Sequence, residues 1–458
     1  MPNSELSLIA HLMRRAGFSA RRDELENFSS KSYAEVVDEL LRPEDFPDLE
    51  EDIMERYNHG RPRQGHWMFR MVNSNRPLVE KMSLFWHYIF ATGNFKSDNP
   101  QASEAQVDMF REVCLSDMRI ILVALSKDPA MLFWLDNNEN LKDEPNENYG
   151  RELLELFSMG VGNYTEDDVK GATMAFTGWS FRTNIPGKIY PSQFLYLKNE
   201  HADGVKSFLG ETGNLNGEDI VDVIVKQPAT ARFVCRHLYD FFVSDEPPVA
   251  AWNETPPQNP EAIDELVSAY FQSGGEMRSV LRVLFNADFF KESRFRKVKS
   301  PVELVTGVVK LTGTARFPDA RNSAYLAGTG AMGQNLMNPL TVEGWHTGQE
   351  WIDGGTLNAR VNFAVDAVSD PDTPGLKDLL ARLGAVNRPV SPEEFVEVCL
   401  DYAGPLLVGD KTKEGLLKYA IESGGELSLN TDEEMRSGSA RVSRMLQLIV
   451  SAKEYQFG

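Results

Sequence analysis

Cysteine, histidine and long apolar runs are all scarce in this chain. Three cysteines occur in 458 residues: Cys114, Cys235 and Cys399, far apart and never in a C-x-x-C pair. An odd number so widely spaced cannot make a complete disulfide framework, and buried or half-buried thiols are expected. Seven histidines leave little room for a multi-histidine metal centre. No stretch reaches the roughly 18 consecutive apolar residues of a membrane span, so no membrane insertion is expected. The first 22 residues, with Arg14, Arg15, Arg21 and Arg22, lack the apolar core and small-residue cleavage site of a secretory signal. As the sequence stands, the expected location is the cytoplasm. Basic runs are missing too: 47 Lys and Arg face 68 Asp and Glu, a net charge of −21. Such a surface repels phosphate backbones and anionic lipid, which argues against a nucleic-acid partner.

Several catalytic signatures are also absent. There is no H-E-x-x-H, no G-x-S-x-G and no P-loop. Gly328-x-Gly330-x-x-Gly333 matches a dinucleotide fingerprint as text, but no strand precedes it and no βαβ pattern surrounds it, so no nucleotide cofactor is expected. The only E-x-x-H, Glu343 to His346, is interrupted by Gly344 and Trp345 and is not the helical di-iron motif.

What the sequence does have is helical periodicity. Ser4 can open a helix whose Leu8, Ile9, Leu12 and Met13 share a face, with Gly17 as its stop. Ser32-Tyr-Ala-Glu35 is a capping box, and Pro77 suits a first helical position. Further helices are expected at 104–125, 146–159, 165–176, 218–243, 260–272, 301–311, 392–403, 413–422 and 433–453. Strand signals are confined to Trp179–Arg182 and Gln193–Leu197, read as one hairpin near 179–197 with a turn at Pro186 and Gly187. Residues 313–330 and 338–355 look like long loops. The expected fold is all-α, a compact multi-helix unit with a small β-hairpin. Its parts are an N-terminal helical part (1–245), a proline-rich linker or loop (246–260) and a C-terminal helical part (261–458) packed on the first.

The densest polar stretch runs from Asp136 to Glu147. Counted from Asp136, oxygen side chains fall at positions 1, 3, 5, 9 and 12: Asp136, Asn138, Asn140, Glu144 and Glu147. That is the ligand spacing of a helix–loop–helix site for Ca²⁺ or another hard divalent cation, although Leu141 stands where the sharp turn wants glycine. The alternative is an Asx-rich loop that caps the next helix. In that helix Glu147, Arg151 and Glu155 share a face, either as a surface ladder or as a polar network lining a cleft. His87, with Glu80 two turns earlier, has the makings of a general base with its orienting carboxylate, or of a core histidine. Arg236 and His237, beside Tyr239, Phe241 and Phe242, could clamp an anion.

Several blocks together resemble one bacterial family, catalogued as domain of unknown function 1800. They are His11–Phe18, Arg76–Met82 with Phe85–His87 and Phe90–Thr92, and a central block of Asp128–Met131, Trp134–Asn137, Pro145–Asn148, Arg151–Leu153, Glu155–Phe157, Gly162–Thr165 and Phe176–Trp179. Downstream come Lys299–Glu303, Met332–Gln334, Gly344-Trp345 and Trp351 through Arg360. The likeness spans nearly the whole chain. It implies a helical protein and carries no settled activity. It also implies frequent export, hence a periplasmic or envelope location as the alternative, and a sulfatase-like or phosphatase-like partner encoded nearby.

Two expectations of different class follow. In one, the protein is an enzyme acting by hydrolysis or group transfer on an anionic, sulfated or phosphorylated substrate. Glu147 or Glu155 would be base or cation ligand, His87 a proton shuttle, and Arg151 with Arg236 an anion clamp, His237 lying beside it. In the other, it is a non-catalytic binding or scaffold protein with a structural cation site at 136–147.

Overall fold

The structure, a computed structural model, describes residues 4–49, 63–96, 100–182, 192–247, 252, 255–316 and 321–458. Among these residues helices dominate, and the only sheets are two antiparallel strand pairs. Trp179–Arg182 pairs with Gln193–Tyr196, Trp179 opposite Tyr196, which is the expected hairpin. Its expected turn at Pro186 and Gly187 lies outside the described residues. A second pair, Lys206–Phe208 with Glu211–Gly213, was not expected from a sequence this short in strand signals.

The chain folds as two compact units. The first combines Met1–Leu78, Phe290–Asn335 and His346–Gly458; the second combines Val79–Phe289 and Leu336–Trp345. The 246–260 segment lies inside the second unit. Its Glu246 N–H donates to Asp240 Oδ1 at 2.9 Å, and Glu246 Oε1 accepts from the Gln258 N–H at 2.9 Å.

Capping chemistry sets most helix ends. Ser32 accepts from the Glu35 N–H and Glu35 answers on the Ser32 N–H, opening the Tyr33–Leu40 helix. Ser300 and Glu303 do the same for Pro301–Thr312, with Pro301 in the first turn, where its missing N–H costs nothing. Two helices expected to be continuous are broken. The span 104–125 divides into Pro100–Val113 and Met118–Lys127, because Asp117 caps a new start by accepting from the Ile120 N–H. The span 218–243 divides into Gly217–Ile224 and Pro228–Phe242, because Pro228 cannot donate inside a helix and opens one instead. Conversely, the loop expected at 313–330 contains the helix Arg321–Ala331.

In the first unit, Pro301–Thr312 is the central helix, buried along nearly its whole length. Gly375 lets the Pro374–Gly384 helix start hard against it: a Cβ there would stand 2.0 Å from the Leu311 carbonyl oxygen. In the second unit the core is aromatic. Phe85, Trp86, Phe90, Phe110 and Phe157 are fully enclosed, and Trp86 stacks on Phe90 with ring centroids 5.1 Å apart. All three cysteines are buried and free.

Candidate functional site

The Ser4–Arg15 helix ends in two arginines. A cation in a last turn is favoured by the partial negative charge of the helix C-terminus. Here the apolar face of the helix carries both side chains inward: Arg14 is 6% exposed and Arg15 1%. Arg15 meets a carboxylate, Glu303, at 3.3 Å. Arg14 does not. Its Nη1 donates to the Gly404 carbonyl at 2.7 Å, its guanidinium lies 4.5 Å from the centre of the Phe295 ring, and its Nε and Nη2 have no hydrogen-bond partner among the described residues. Gly404 can turn its carbonyl this way because it holds φ +113°, a region side chains disfavour.

Arg14 lines a cavity of about 290 Å³ in the first unit. The cationic side chains around it are Arg14, Arg21, Arg22, Lys299, Lys310 and Arg316; the carboxylates are Asp23 and Asp378. Several cations are already neutralised. Arg21 bonds Glu24 at 2.8 Å, Arg22 bonds Glu26 and Asp401, and Arg316 approaches Asp23 at 3.4 Å. Lys310 donates to the Ser19 carbonyl at 3.1 Å, with Glu24 at 3.6 Å. Lys299, like Arg14, has a carbonyl for its partner: its Nζ donates to Tyr455 O at 2.8 Å and lies 4.1 Å above the Tyr455 ring centre. Arg14 and Lys299 are therefore the cationic side chains of the cavity lining whose hydrogen-bond partners, among the described residues, are carbonyls rather than carboxylates.

Burial presses on both charges. Desolvation, reinforced by Arg15 and Arg294, pushes the Arg14 guanidinium down to about 9. Desolvation, with Arg14, Arg360 and Arg15 adding to it against Glu303, pushes the Lys299 ammonium down to about 7. An anion in the cavity would relieve both. Arg360, fully buried, donates from Nη2 to the Lys299 carbonyl at 2.7 Å and from Nε to Gln456 Oε1 at 2.9 Å. It fixes the backbone on which Lys299 stands.

The residues expected from the sequence to form a site lie elsewhere, in the second unit, and none lines this cavity. The five expected cation ligands stand as follows. Asp136 pairs with Lys96 at 2.6 Å. Asn140 is buried: its Nδ2 donates to Thr173 O at 2.9 Å and its Oδ1 accepts from the Asn146 N–H at 3.0 Å. Glu144 and Glu147 are exposed, and Asn138 stands between the two bonded residues. Beside them Asn137 donates to Trp179 O at 2.9 Å. Among the described residues no group of three or more His, Cys, Asp or Glu is placed to hold a metal ion.

The expected catalytic residues each have partners of their own. Arg151 lies between Glu147 at 3.2 Å and Glu166 at 2.7 Å, a partly exposed ladder rather than a cleft wall. Glu155 accepts from the Tyr164 hydroxyl at 2.7 Å. Arg236 is no open anion clamp: it pairs with the buried Glu246 at 3.3 Å and covers the Trp252 ring at 4.3 Å. His237 is enclosed by Phe233 and Trp252, both 4.5 Å away between ring centres. His87 packs edge-on to Trp345 at 5.2 Å. Burial pushes both histidines down to about 3, Arg236 adding to the effect on His237. Glu80 gives both oxygens to Arg111 Nε at 3.0 Å.

A family model described as a protein of unknown function, DUF1800, matches residues 11–457. No curated protein and no solved structure matches the chain.

Proposed function

The chain belongs to that family of unknown function, and from this premise we propose that it recognises a small sulfated or phosphorylated ligand in the cavity beside Arg14 and Lys299. One observation carries the proposal: a guanidinium buried against a cavity with two of its three nitrogens unpartnered. A buried cation without a counter-charge is costly. Its planar set of donors matches an oxoanion, which it can hold through two parallel hydrogen bonds. A volume of about 290 Å³ stands at the small end of ligand sites and suits one compact ester. The sulfatase-like or phosphatase-like partner implied by the family resemblance would handle the same esters. Hydrolysis or group transfer remains the reaction class proposed for such a ligand.

Titration calorimetry and thermal unfolding with inorganic phosphate and sulfate test the recognition step. Saturation at 100 times the dissociation constant is expected to add about 2.7 kcal/mol of stability. Arg14→Gln is expected to lose at least tenfold in affinity, while Arg151→Gln, on the partly exposed ladder of the other unit, binds as wild type. Unaltered binding by Arg14→Gln, or none by the wild type, would sink the proposal.

A further inference from the structure

Lys299 offers the cavity a second kind of chemistry. The residue is 6% exposed and lines the cavity. It makes no carboxylate pair: Nζ donates to Tyr455 O at 2.8 Å over the Tyr455 ring. The charged groups that bear on it come from three helices. Arg14 and Arg15 end the Ser4–Arg15 helix, Arg360 belongs to Gly354–Ala367, and Glu303 opens Pro301–Thr312. Three cations thus oppose one carboxylate, itself 3.3 Å from Arg15. A lysine desolvated beside other cations has a substantial share of free amine near neutral pH, the form that is nucleophilic. An ordinary lysine at neutral pH has its lone pair occupied by a proton.

We propose that Lys299 is a carbonyl-capturing amine, and that the ligand class of this cavity is an aldehyde or ketone carrying an anionic ester, the ester on Arg14 and the carbonyl at Lys299. The inference rests on the anion-recognition reading for the ester half alone. In the step itself, the Nζ lone pair attacks the carbonyl carbon and a C–N bond forms. The carbonyl oxygen then leaves as water, taking both amine hydrogens, and a C=N bond remains. No oxidant or reductant is consumed. Because Tyr455 O accepts from the amine, the lone pair is left for the carbonyl.

Reductive trapping tests this on the intact wild-type chain. Glycolaldehyde phosphate is added with cyanoborohydride, which delivers hydride to the imine carbon and fixes a secondary amine, and the modified peptides are mapped by mass spectrometry. Lys418, at 73% side-chain exposure, serves as the internal standard. At pH 7 Lys299 is expected to be modified at least tenfold faster than Lys418. Its rate should level off above about pH 8, while that of Lys418 keeps rising about tenfold per pH unit. An unmodified Lys299, or one that follows Lys418 in rate and pH dependence, overturns the proposal. Inorganic phosphate separates the two ideas. If phosphate slows trapping at Lys299 but not at Lys418, both stand. Fast trapping that ignores phosphate keeps the amine and removes the anion site. Phosphate binding seen by calorimetry without trapping keeps the anion site and removes the amine.

Discussion

Arg14 illustrates how a functional group can be poor at holding its own fold together. Its guanidinium has one carbonyl hydrogen bond and a ring face set against full desolvation, and replacing a poorly compensated buried charge by an apolar side chain is often neutral or stabilising by about 1–4 kcal/mol. Arg14→Met is therefore expected to unfold at a denaturant midpoint no lower than wild type while losing its sulfate response; a structural arginine would instead leave a clearly destabilised variant. Lys299 gives a pH signature. Its folded value, about 7, lies below the ordinary value of about 10.4, so between these the unfolded chain binds more protons and stability rises with pH. Below pH 7 both states are charged and the burial penalty is present in full. The stability advantage of Lys299→Met over wild type should be largest at pH 6 and shrink towards pH 9, measured by denaturant unfolding. A gap independent of pH would contradict a lysine buried in this way. Sulfate, whose own charge is constant over this range, should bind wild type more weakly at pH 9 than at pH 7.

At the scale of elements, local rules read well where the signal is local. The Ser32–Glu35 capping box, the Pro77 start and the Trp179–Gln193 strand pairing are set by residues a few positions apart, or by alternation within a strand. The breaks at Asp117 and Pro228 were written in the same residue types but lay inside long apolar periods that run straight through them. The 136–147 loop is a case where local spacing and remote partners bear on the same residues. Its oxygen spacing is that of a cation loop, yet the partners that take Asn140 and Asp136, namely Thr173 and Lys96, are remote in sequence. Asn140→Ala should cost about 1–3 kcal/mol, since it takes the acceptor from the Asn146 N–H and one of two hydrogen bonds from the Thr173 carbonyl, which keeps the Phe176 N–H. Glu147→Gln should change stability by less than about 0.5 kcal/mol. Thermal unfolding with and without calcium checks both; a calcium-dependent melting point lost in Glu147→Gln would restore the cation loop.

On the scale of the whole molecule, the first of the chain's four passages from one unit to the other falls between Leu78 and Val79, inside the Pro77–Ile89 helix. No change of composition marks such a point. The candidate site was equally hidden, because its contacts are distant in sequence: Arg14 reaches Gly404 and Lys299 reaches Tyr455. The sequence did show the pieces, since His11–Phe18, Lys299–Glu303 and the block ending at Arg360 all carry the family likeness. What it could not show was that they meet. A chain of net charge −21 also gave no hint of a cavity of opposite sign. Hydrogen exchange with saturating sulfate should slow amides in the first unit, at 4–15, 301–312 and 453–456. Those of 148–155 and 228–242 in the second unit should be unaffected, and protection confined to the second unit would misplace the site. The most direct measurement is anomalous diffraction from crystals soaked in selenate, a heavy analogue of sulfate. The account predicts a selenium peak inside the cavity, within hydrogen-bonding distance of Arg14 Nε or Nη2. A cavity without a peak at saturating selenate would contradict it.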